Sequence, residues 1–165
     1  MRWLKRAGAY APLVLTVALV LAASSRVAAA DGALLEVTGA WARPARAMGG
    51  GHAHSETPSM TAVTSAVYMT LVNHGSHPVR IVGASTPVAD VAELHETRIE
   101  GMVARMGPVD AIEVPPGGQV RLEPGGLHVM LIGVTRTLEP GDRVPLTLVL
   151  DDGSELVVEA VVQEA

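Results

Sequence analysis

Two histidines and two methionines are the residues of this chain whose types and spacing could do chemistry. His95 and Met106 have ten residues between them, Met106 and His128 have twenty-one, and His128 and Met130 have one. In an extended strand, side chains two positions apart leave the same face, so His128 and Met130 would point together while Val129 turns into the core. Two imidazoles and two thioethers form a neutral, soft donor set, which favours Cu(I) over harder or more highly charged ions.

Each of these residues also has a purely structural explanation. His95 follows an apolar residue and could be an ordinary histidine at the rim of a sheet. Met106 could be core filler, the commonest use of methionine, and Met102 lies close enough to compete for the same role. His128 and Met130 are harder to explain in this way, because an imidazole and a thioether on one face make a poor core pair. The spacing of the whole set favours the metal site.

The first thirty residues have the pattern of a cleavable export signal. A basic start precedes the uncharged, mostly apolar run 7–23, and three consecutive alanines offer a cleavage site before Asp31. The run is shorter than the roughly 20 residues that span a bilayer, although an uncleaved anchor is the alternative. We therefore expect residues 1–30 to be a signal peptide and residues 31–165 to be one extracytoplasmic domain, without stable membrane insertion after cleavage.

The absence of cysteine excludes several kinds of site. The chain can form no disulfide, no thiol redox couple and no thiolate-ligated zinc or blue-copper centre, and lipid attachment at a new N-terminus is not expected. Zinc or calcium would call for carboxylates in place of paired thioethers. A hydrolase would need an activated nucleophile, and no nucleophile elbow or triad setting is recognisable. A copper oxygenase with a histidine brace would need a histidine where we expect Asp31.

Composition and charge predict an all-β domain that does not bind nucleic acid. The sequence holds 17 glycines and 11 prolines, and only 2% of its residues are aromatic, a mixture typical of short strands joined by turns. All 17 acidic residues lie at or after Asp31, whereas four of the 12 basic residues precede it. The mature domain would therefore be strongly acidic, which argues against nucleic acid as a partner.

About nine short strands can be placed in the mature chain, and they predict an antiparallel β-sandwich or barrel. Besides the extended segment at His128, the expected strands are 34–41, 66–73, 79–84, 88–97, 111–114, 119–122, 144–150 and 155–162. The strand 88–97 should carry His95 at or near its end. Strand 144–150 alternates most clearly, with apolar residues at Val144, Leu146, Leu148 and Leu150.

Turn residues between these strands predict three hairpins. The first joins 66–73 to 79–84, the second joins 111–114 to 119–122, and the third joins the last two strands through Asp151, Asp152 and Gly153. The first strand should turn Leu35 and Val37 to one face, and Trp41 is a further candidate for that face.

A glycine-rich polar segment, residues 48–60, carries further candidate metal ligands. Met48 and Met60 flank His52 and His54. This segment could form a second, weaker copper site on a mobile arm, taking Cu(II) through the imidazoles. An insert without metal is the alternative, and we favour it because glycine makes ordering the segment costly and two histidines alone give modest affinity.

Residues 37–162 resemble the periplasmic copper chaperones usually called the PCu(A)C family. The signature of that family is a His, ten residues, a Met, twenty-one residues, a His, one residue and a Met. The residues that match it position for position are His95, Met106, His128 and Met130. The sequences at 66–73, 93–97 and 124–130 are similar to the family as well. The segment 48–60 departs from it as a longer, glycine-rich insert.

The resemblance implies a cupredoxin-like β-barrel of the Greek-key type that carries one Cu(I) near its surface. It further implies a non-catalytic periplasmic chaperone that delivers copper to respiratory oxidase assembly. Subunit II of cytochrome c oxidase, or a thiol-containing assembly factor, would be the copper acceptor. The alternative function is an exported β-sandwich interaction module whose histidines and methionines are incidental. Copper binding by the isolated domain separates the two.

Overall fold

The computed structural model describes residues 25–28, 34–46 and 63–164, and for 25–28 and residue 34 only the course of the backbone. These ranges form eleven strands, which are β1 (Ser25–Ala28), β2 (Leu34–Ala42), β3 (Thr64–Asn73), β4 (Val79–Ser85), β5 (Ala89–Glu100), β6 (Val103–Pro108), β7 (Ile112–Val114), β8 (Gln119–Leu122), β9 (Leu127–Val134), β10 (Arg143–Leu150) and β11 (Glu155–Val162). Within the described ranges, no helix has the length and apolar character needed to cross a membrane.

The predicted signal segment and the predicted insert fall almost entirely outside the described residues. Residues 25–28 are the exception, because β1 pairs antiparallel with the start of β2. The expected cleavage before Asp31 and the expected insert at 48–60 therefore stay predictions.

Seven strands close into a barrel in the order β2, β11, β10, β4, β5, β9 and β3, with β3 pairing back to β2. The other four strands attach to this ring, β1 to β2, β6 to β5, β7 to β4 and β8 to β3. The pairing of β11 with β2 is parallel and the others are antiparallel. The all-β barrel predicted from composition and strand spacing is confirmed.

The barrel core is built from one face of each of the seven strands in the closed ring, as the apolar alternation predicts. On β10 the alternating residues are all buried, namely Val144, Leu146, Leu148 and Leu150. On β9 the side chains of Val129 and Leu131 are fully buried in the same cluster. Burying an aliphatic side chain of this size contributes about 1.5–3 kcal/mol, so this interior holds the strands in register.

The predicted hairpin between β3 and β4 is wrong. Strand β3 pairs with β2, β8 and β9, whereas β4 pairs with β5, β7 and β10. Asn73, fully buried at the end of β3, donates to the carbonyl oxygens of His77 at 2.7 Å and Val114 at 3.1 Å, and accepts from the Gly75 amide at 2.8 Å. These hydrogen bonds direct the segment after Asn73 across the end of the barrel. Strand β4 therefore does not fold back to pair with β3.

The predicted hairpin between β7 and β8 is wrong for a related reason. Strand β7 pairs with β4 and β8 pairs with β3, so the two strands are separated in the sheet. The turn from Pro115 to Gly118 packs against the segment that leaves β3. The carbonyl oxygen of Gly118 accepts a hydrogen bond from the Asn73 amide at 2.9 Å. The third predicted hairpin, formed by β10 and β11, is confirmed.

A bulge changes which residues of β2 face the core. Leu35 and Val37 are buried as expected. At Gly39, with a φ of 62° that glycine adopts at little steric cost, the register with β3 shifts. Ala42 is therefore buried in the core, and Trp41, the further candidate for the face of Leu35 and Val37, does not lie on that face.

Candidate metal centre

Strands β5 and β9 place the two candidate histidines opposite each other. His95 lies inside β5, not at its end as the sequence suggests, because the strand continues to the turn at Gly101. His95 and His128 are direct partners in the antiparallel register, and directly opposite residues share one face of a sheet. Their ring centroids are 5.8 Å apart. The pairing brings together two imidazoles that are distant in sequence.

The segment from His128 to Met130 has the extended conformation that the sequence predicts. Val129 is fully buried in the core, while His128 and Met130 line a cavity of about 460 Å³ on the other face of the sheet. Met106 also lines this cavity. Three of the four candidate ligands therefore share one cavity, and the fourth, His95, has its ring beside that of His128.

The imidazole of His128 is fixed by the turn that precedes β9. Its Nδ1 lies 3.0 Å from the carbonyl oxygen of Gly126, a pure acceptor, so Nδ1 carries the proton and donates. In this neutral tautomer Nε2 has a free lone pair, and it lies 3.2 Å from the Met106 sulfur. Two lone-pair donors thus face each other across a short gap, which is the relation expected of two ligands of one soft cation.

Burial keeps His128 in the form that can bind metal. The side chain is only 4% exposed. Loss of hydration lowers the pKa of His128 below its usual value, the Gly126 carbonyl opposes this shift, and the neighbouring His95 adds to it. The ring is therefore neutral at pH 7, with its Nε2 lone pair available.

His95 has one ring nitrogen satisfied and the other without a partner. Its Nε2 lies 3.0 Å from the Glu93 carboxylate, and the carboxylate accepts a hydrogen bond from the Nε2–H group. Its Nδ1 is buried and has no hydrogen-bond partner among the described residues. A buried polar atom without a partner is uncommon and costly, and a bound cation would satisfy its lone pair. The donor set thus fits a soft metal.

The hairpin of β5 and β6 holds Met106 over the cavity. Met106 stands opposite Thr97 in this hairpin, and its side chain is 55% exposed. The alternative that Met106 is core filler is wrong. Met102, the competing methionine, lies fully exposed in the turn and does not line the cavity. Met130 is half-buried on β9, between Ala66 of β3 and Glu93 of β5.

Sequence reasoning missed an aromatic layer behind His128. The rings of Trp41 and Tyr68 are 4.6 Å apart, and the ring of Tyr68 is 6.2 Å from that of His128. Both aromatic residues point away from the barrel core, because the bulge in β2 sets Trp41 opposite Tyr68. The rarity of aromatic residues in this chain was the signal that could have drawn attention to them.

The described residues offer no comparable site for a harder metal. No group of three His, Cys, Asp or Glu side chains within 34–46 and 63–164 is arranged to hold a metal ion. Glu96, a possible carboxylate ligand, pairs with Arg98 at 2.6 Å. The accessory candidates His52, His54, Met48 and Met60 lie outside the described residues.

Fold and site together define a β-barrel domain with a histidine and methionine centre on the outer face of its sheet. The chain belongs to the family described as "Putative lipoprotein LpqE-like", whose model matches residues 35–162. This family is of the PCu(A)C type. The resemblance noted in the sequence, membership of the PCu(A)C family, is therefore confirmed.

Two curated relatives are similar over part of their length. One is "Putative lipoprotein Lxx21020" of Leifsonia xyli subsp. xyli, 33% identical over 101 residues, which are 61% of this chain and 61% of the relative. The other is "Uncharacterized protein RP573" of Rickettsia prowazekii, 30% identical over 95 residues, which are 57% of this chain and 52% of the relative. The matched region thus spans between half and two thirds of these relatives.

Solved structures share the fold. The domain described as "Apo PCuAC domain from PmoF1" is 23% identical with a TM-score of 0.58, covering 79% of this chain and 94% of that chain. "Copper-bound PCuAC domain from PmoF2" is 24% identical with a TM-score of 0.56, covering 79% and 93%. "Solution structure of CuI-DR1885 from Deinococcus Radiodurans" is 33% identical with a TM-score of 0.52, covering 76% of each chain. The cupredoxin-like barrel is therefore confirmed.

Proposed function

We propose that this domain is an extracytoplasmic copper chaperone that binds one Cu(I) through His95, Met106, His128 and Met130. The observation that supports it most is the 3.2 Å approach of the His128 Nε2 lone pair to the Met106 sulfur. Nitrogen and sulfur ligands at about 2.1 and 2.3 Å from a tetrahedral ion stand about 3.6 Å apart, so little adjustment would admit the metal.

The chemistry of the donors favours Cu(I) over other ions. All four side chains are uncharged when they bind, and two of them are thioethers, so the site suits a soft monovalent cation. Thioethers have no proton to lose, and the pKa of His128 is already lowered by burial. Binding near neutral pH therefore needs little proton release. Two similar structures are described as copper-bound or Cu(I)-bound, which agrees with this choice.

The difference in exposure among the donors suits a carrier that gives up its cargo. Both histidines are buried, at 9% exposed for His95 and 4% for His128, whereas Met106 is 55% exposed. An acceptor can reach the ion from the Met106 side. A thiolate acceptor binds Cu(I) more strongly than a thioether does, so transfer to it is favourable. We infer that the acceptor is subunit II of cytochrome c oxidase or a thiol-containing assembly factor in the periplasm.

X-ray absorption on the Cu(I)-loaded domain tests the ligand set directly. We expect two sulfur and two nitrogen neighbours and one copper per chain. A spectrum that fits without sulfur would contradict the proposal. Failure of the folded domain to bind Cu(I) at all would instead support the alternative, an exported interaction module with incidental histidines and methionines.

A matched pair of methionine variants tests the site in solution. Met130→Leu keeps volume and apolar character, so it should weaken Cu(I) binding while changing the free energy of unfolding by less than about 1.5 kcal/mol. Met102→Leu, in the exposed turn, is the control and should change neither quantity. A large loss of stability with unchanged copper affinity would show that Met130 serves only packing.

Deletion of residues 49–59 tests whether the insert holds a second copper. We expect one copper equivalent before and after the deletion, because two histidines in a glycine-rich segment give modest affinity. Loss of a second, weaker equivalent on deletion would show that His52 and His54 bind metal. Loss of the first equivalent would show that the insert belongs to the main site.

A further inference from the structure

An arginine lies at the candidate copper site although the donor set is neutral. Arg43 lines the cavity together with Met106, His128 and Met130. Five other described arginines form ion pairs with carboxylates, namely Arg80, Arg98, Arg105, Arg136 and Arg143. Within the described ranges Arg43 is exposed and forms no such pair, as is also true of Arg46 and Arg121, but of these three only Arg43 lines the cavity. A positive charge therefore stands at the cavity without a compensating anion among the described residues.

The backbone holds Arg43 at the cavity edge. Its amide donates to the carbonyl oxygen of Ala66 at 3.0 Å, and its own carbonyl oxygen accepts from the Ser65 hydroxyl at 2.7 Å. Both partners belong to β3, which forms a wall of the cavity. Pro44 follows directly and restricts the backbone further. These contacts fix the start of the side chain, so its charge stays near the site.

This charge has opposite effects on the cargo and on an incoming anion. If the four donors bind Cu(I), the complex carries a charge of +1, and the guanidinium repels it. The same guanidinium attracts an anionic group that enters the cavity. The volume of about 460 Å³ and the hydroxyls of Thr64 and Thr97 in its lining leave room and polar contacts for such a group.

We propose that Arg43 makes this cavity the entry subsite for an anionic thiolate of the copper acceptor, and so favours release of Cu(I) over its retention. This inference rests on the proposed function. The bond from Cu(I) to the incoming sulfur forms as the bond to the exposed Met106 breaks, and copper stays Cu(I) throughout. The thiolate arrives without its proton, so no proton has to be removed at the site.

Three arginine variants and two chelators test this role. Arg43→Gln removes the charge, Arg43→Lys keeps it, and Arg46→Gln removes an exposed charge three residues away that does not line the cavity. Equilibrium competition should show that Arg43→Gln binds Cu(I) about fivefold more tightly than the wild type, because one repulsion is gone. Arg43→Lys and Arg46→Gln should bind Cu(I) as the wild type does.

The rate of copper removal separates attraction of the anion from affinity for the metal. Cu(I) is removed by bathocuproine disulfonate, which is anionic, and by neocuproine, which has a similar neutral chelating core. Tighter binding slows both rates, so the informative quantity is their ratio. Arg43→Gln should lower the ratio of the anionic to the neutral rate about threefold or more, and Arg43→Lys and Arg46→Gln should leave it unchanged.

Each outcome bears on one proposal or the other. If the wild type fails to bind Cu(I), the proposed function is wrong and this inference fails with it. If Cu(I) binds but the ratio is the same in Arg43→Gln and Arg46→Gln, only the inference is overturned. Should Arg43→Gln not fold, Arg43→Met takes its place, because it also removes the charge and keeps an unbranched side chain of similar length. A ratio in Arg43→Met equal to that in Arg46→Gln would overturn the inference.

Discussion

Strands β10 and β9 bury their inward faces alike but differ in what lies on the outward face. On β10 the outward residues Arg143 and Pro145 are exposed, as on an ordinary sheet surface. On β9 the outward residue His128 is buried although it is polar. It is covered on that side by Tyr68 and by the hairpin that carries Met106. One face of the strand stabilises the barrel, and the other holds a polar site that stability alone does not require.

The same contrast divides the candidate site itself. The two histidines belong to the wall of the barrel and are fixed by Gly126 and Glu93. Met106 belongs to β6, which lies outside the closed ring and pairs only with β5 among the described strands. We expect the histidines to set the strength of binding and Met106 to set the ease of exchange.

The largest expected effect concerns the inward face of β10. Leu148→Ala removes a side chain that is 1% exposed and leaves a cavity, so it should lower the free energy of unfolding by about 2–5 kcal/mol. The folded fraction should bind Cu(I) as the wild type does. Denaturant titration with and without Cu(I) measures both quantities. Val157→Ala, on the exposed face of the neighbouring strand β11, is the control and should cost less than about 0.5 kcal/mol.

The next prediction compares the two halves of the site. His128→Phe keeps a ring against Tyr68 but removes the donor nitrogen, and it should lower Cu(I) affinity at least about 100-fold. Met106→Leu removes an exposed thioether and should lower affinity about tenfold, with little change in stability. Competition against a chelator measures both. Equal losses in the two variants would contradict the division into a binding half and an exchange half.

The successes and failures of the sequence predictions follow the same division. The alternation on β10 and the pair of His128 and Met130 are local patterns with period two, and the structure reproduces both. The wrong hairpins depend on Asn73, whose three side-chain hydrogen bonds reach residues as distant as Val114. A local pattern cannot reveal such long-range bonds. The register of β2 with β3 is what places Arg43 at the cavity. That register could not be predicted from the sequence, so neither could the position of Arg43.

The pH dependence of copper binding tests the buried state of His128. Burial lowers the pKa of His128 from 6.5, so Cu(I) affinity should stay nearly constant down to that pH. Once the pH is below the lowered pKa of His128, affinity should fall by about tenfold per pH unit as a proton competes with the metal for that ring. Because the unfolded chain protonates His128 first as pH drops, the stability of the metal-free domain should also decline below 6.5. His128→Phe should remove its part of that decline.

A loss of affinity that begins well above pH 6.5 would contradict this prediction. A dependence on more than two protons would point to a carboxylate ligand in addition to the histidines. The two carboxylates nearest in sequence to His95 are Glu93 and Glu96, and they can be separated by substitution.

The smallest expected effects come from those two carboxylates. Glu93→Gln keeps an acceptor oxygen for the His95 Nε2 proton but removes the charge that makes the ring a better donor, so Cu(I) affinity should fall by less than about tenfold. Glu96→Gln alters a carboxylate whose partner is the exposed Arg98, and affinity should change by less than about twofold. Chelator competition at pH 7.5 compares the two. If Glu96→Gln lowered Cu(I) affinity as much as Glu93→Gln, the negative charge of the hairpin would determine the affinity, and the contact between Glu93 and His95 would not.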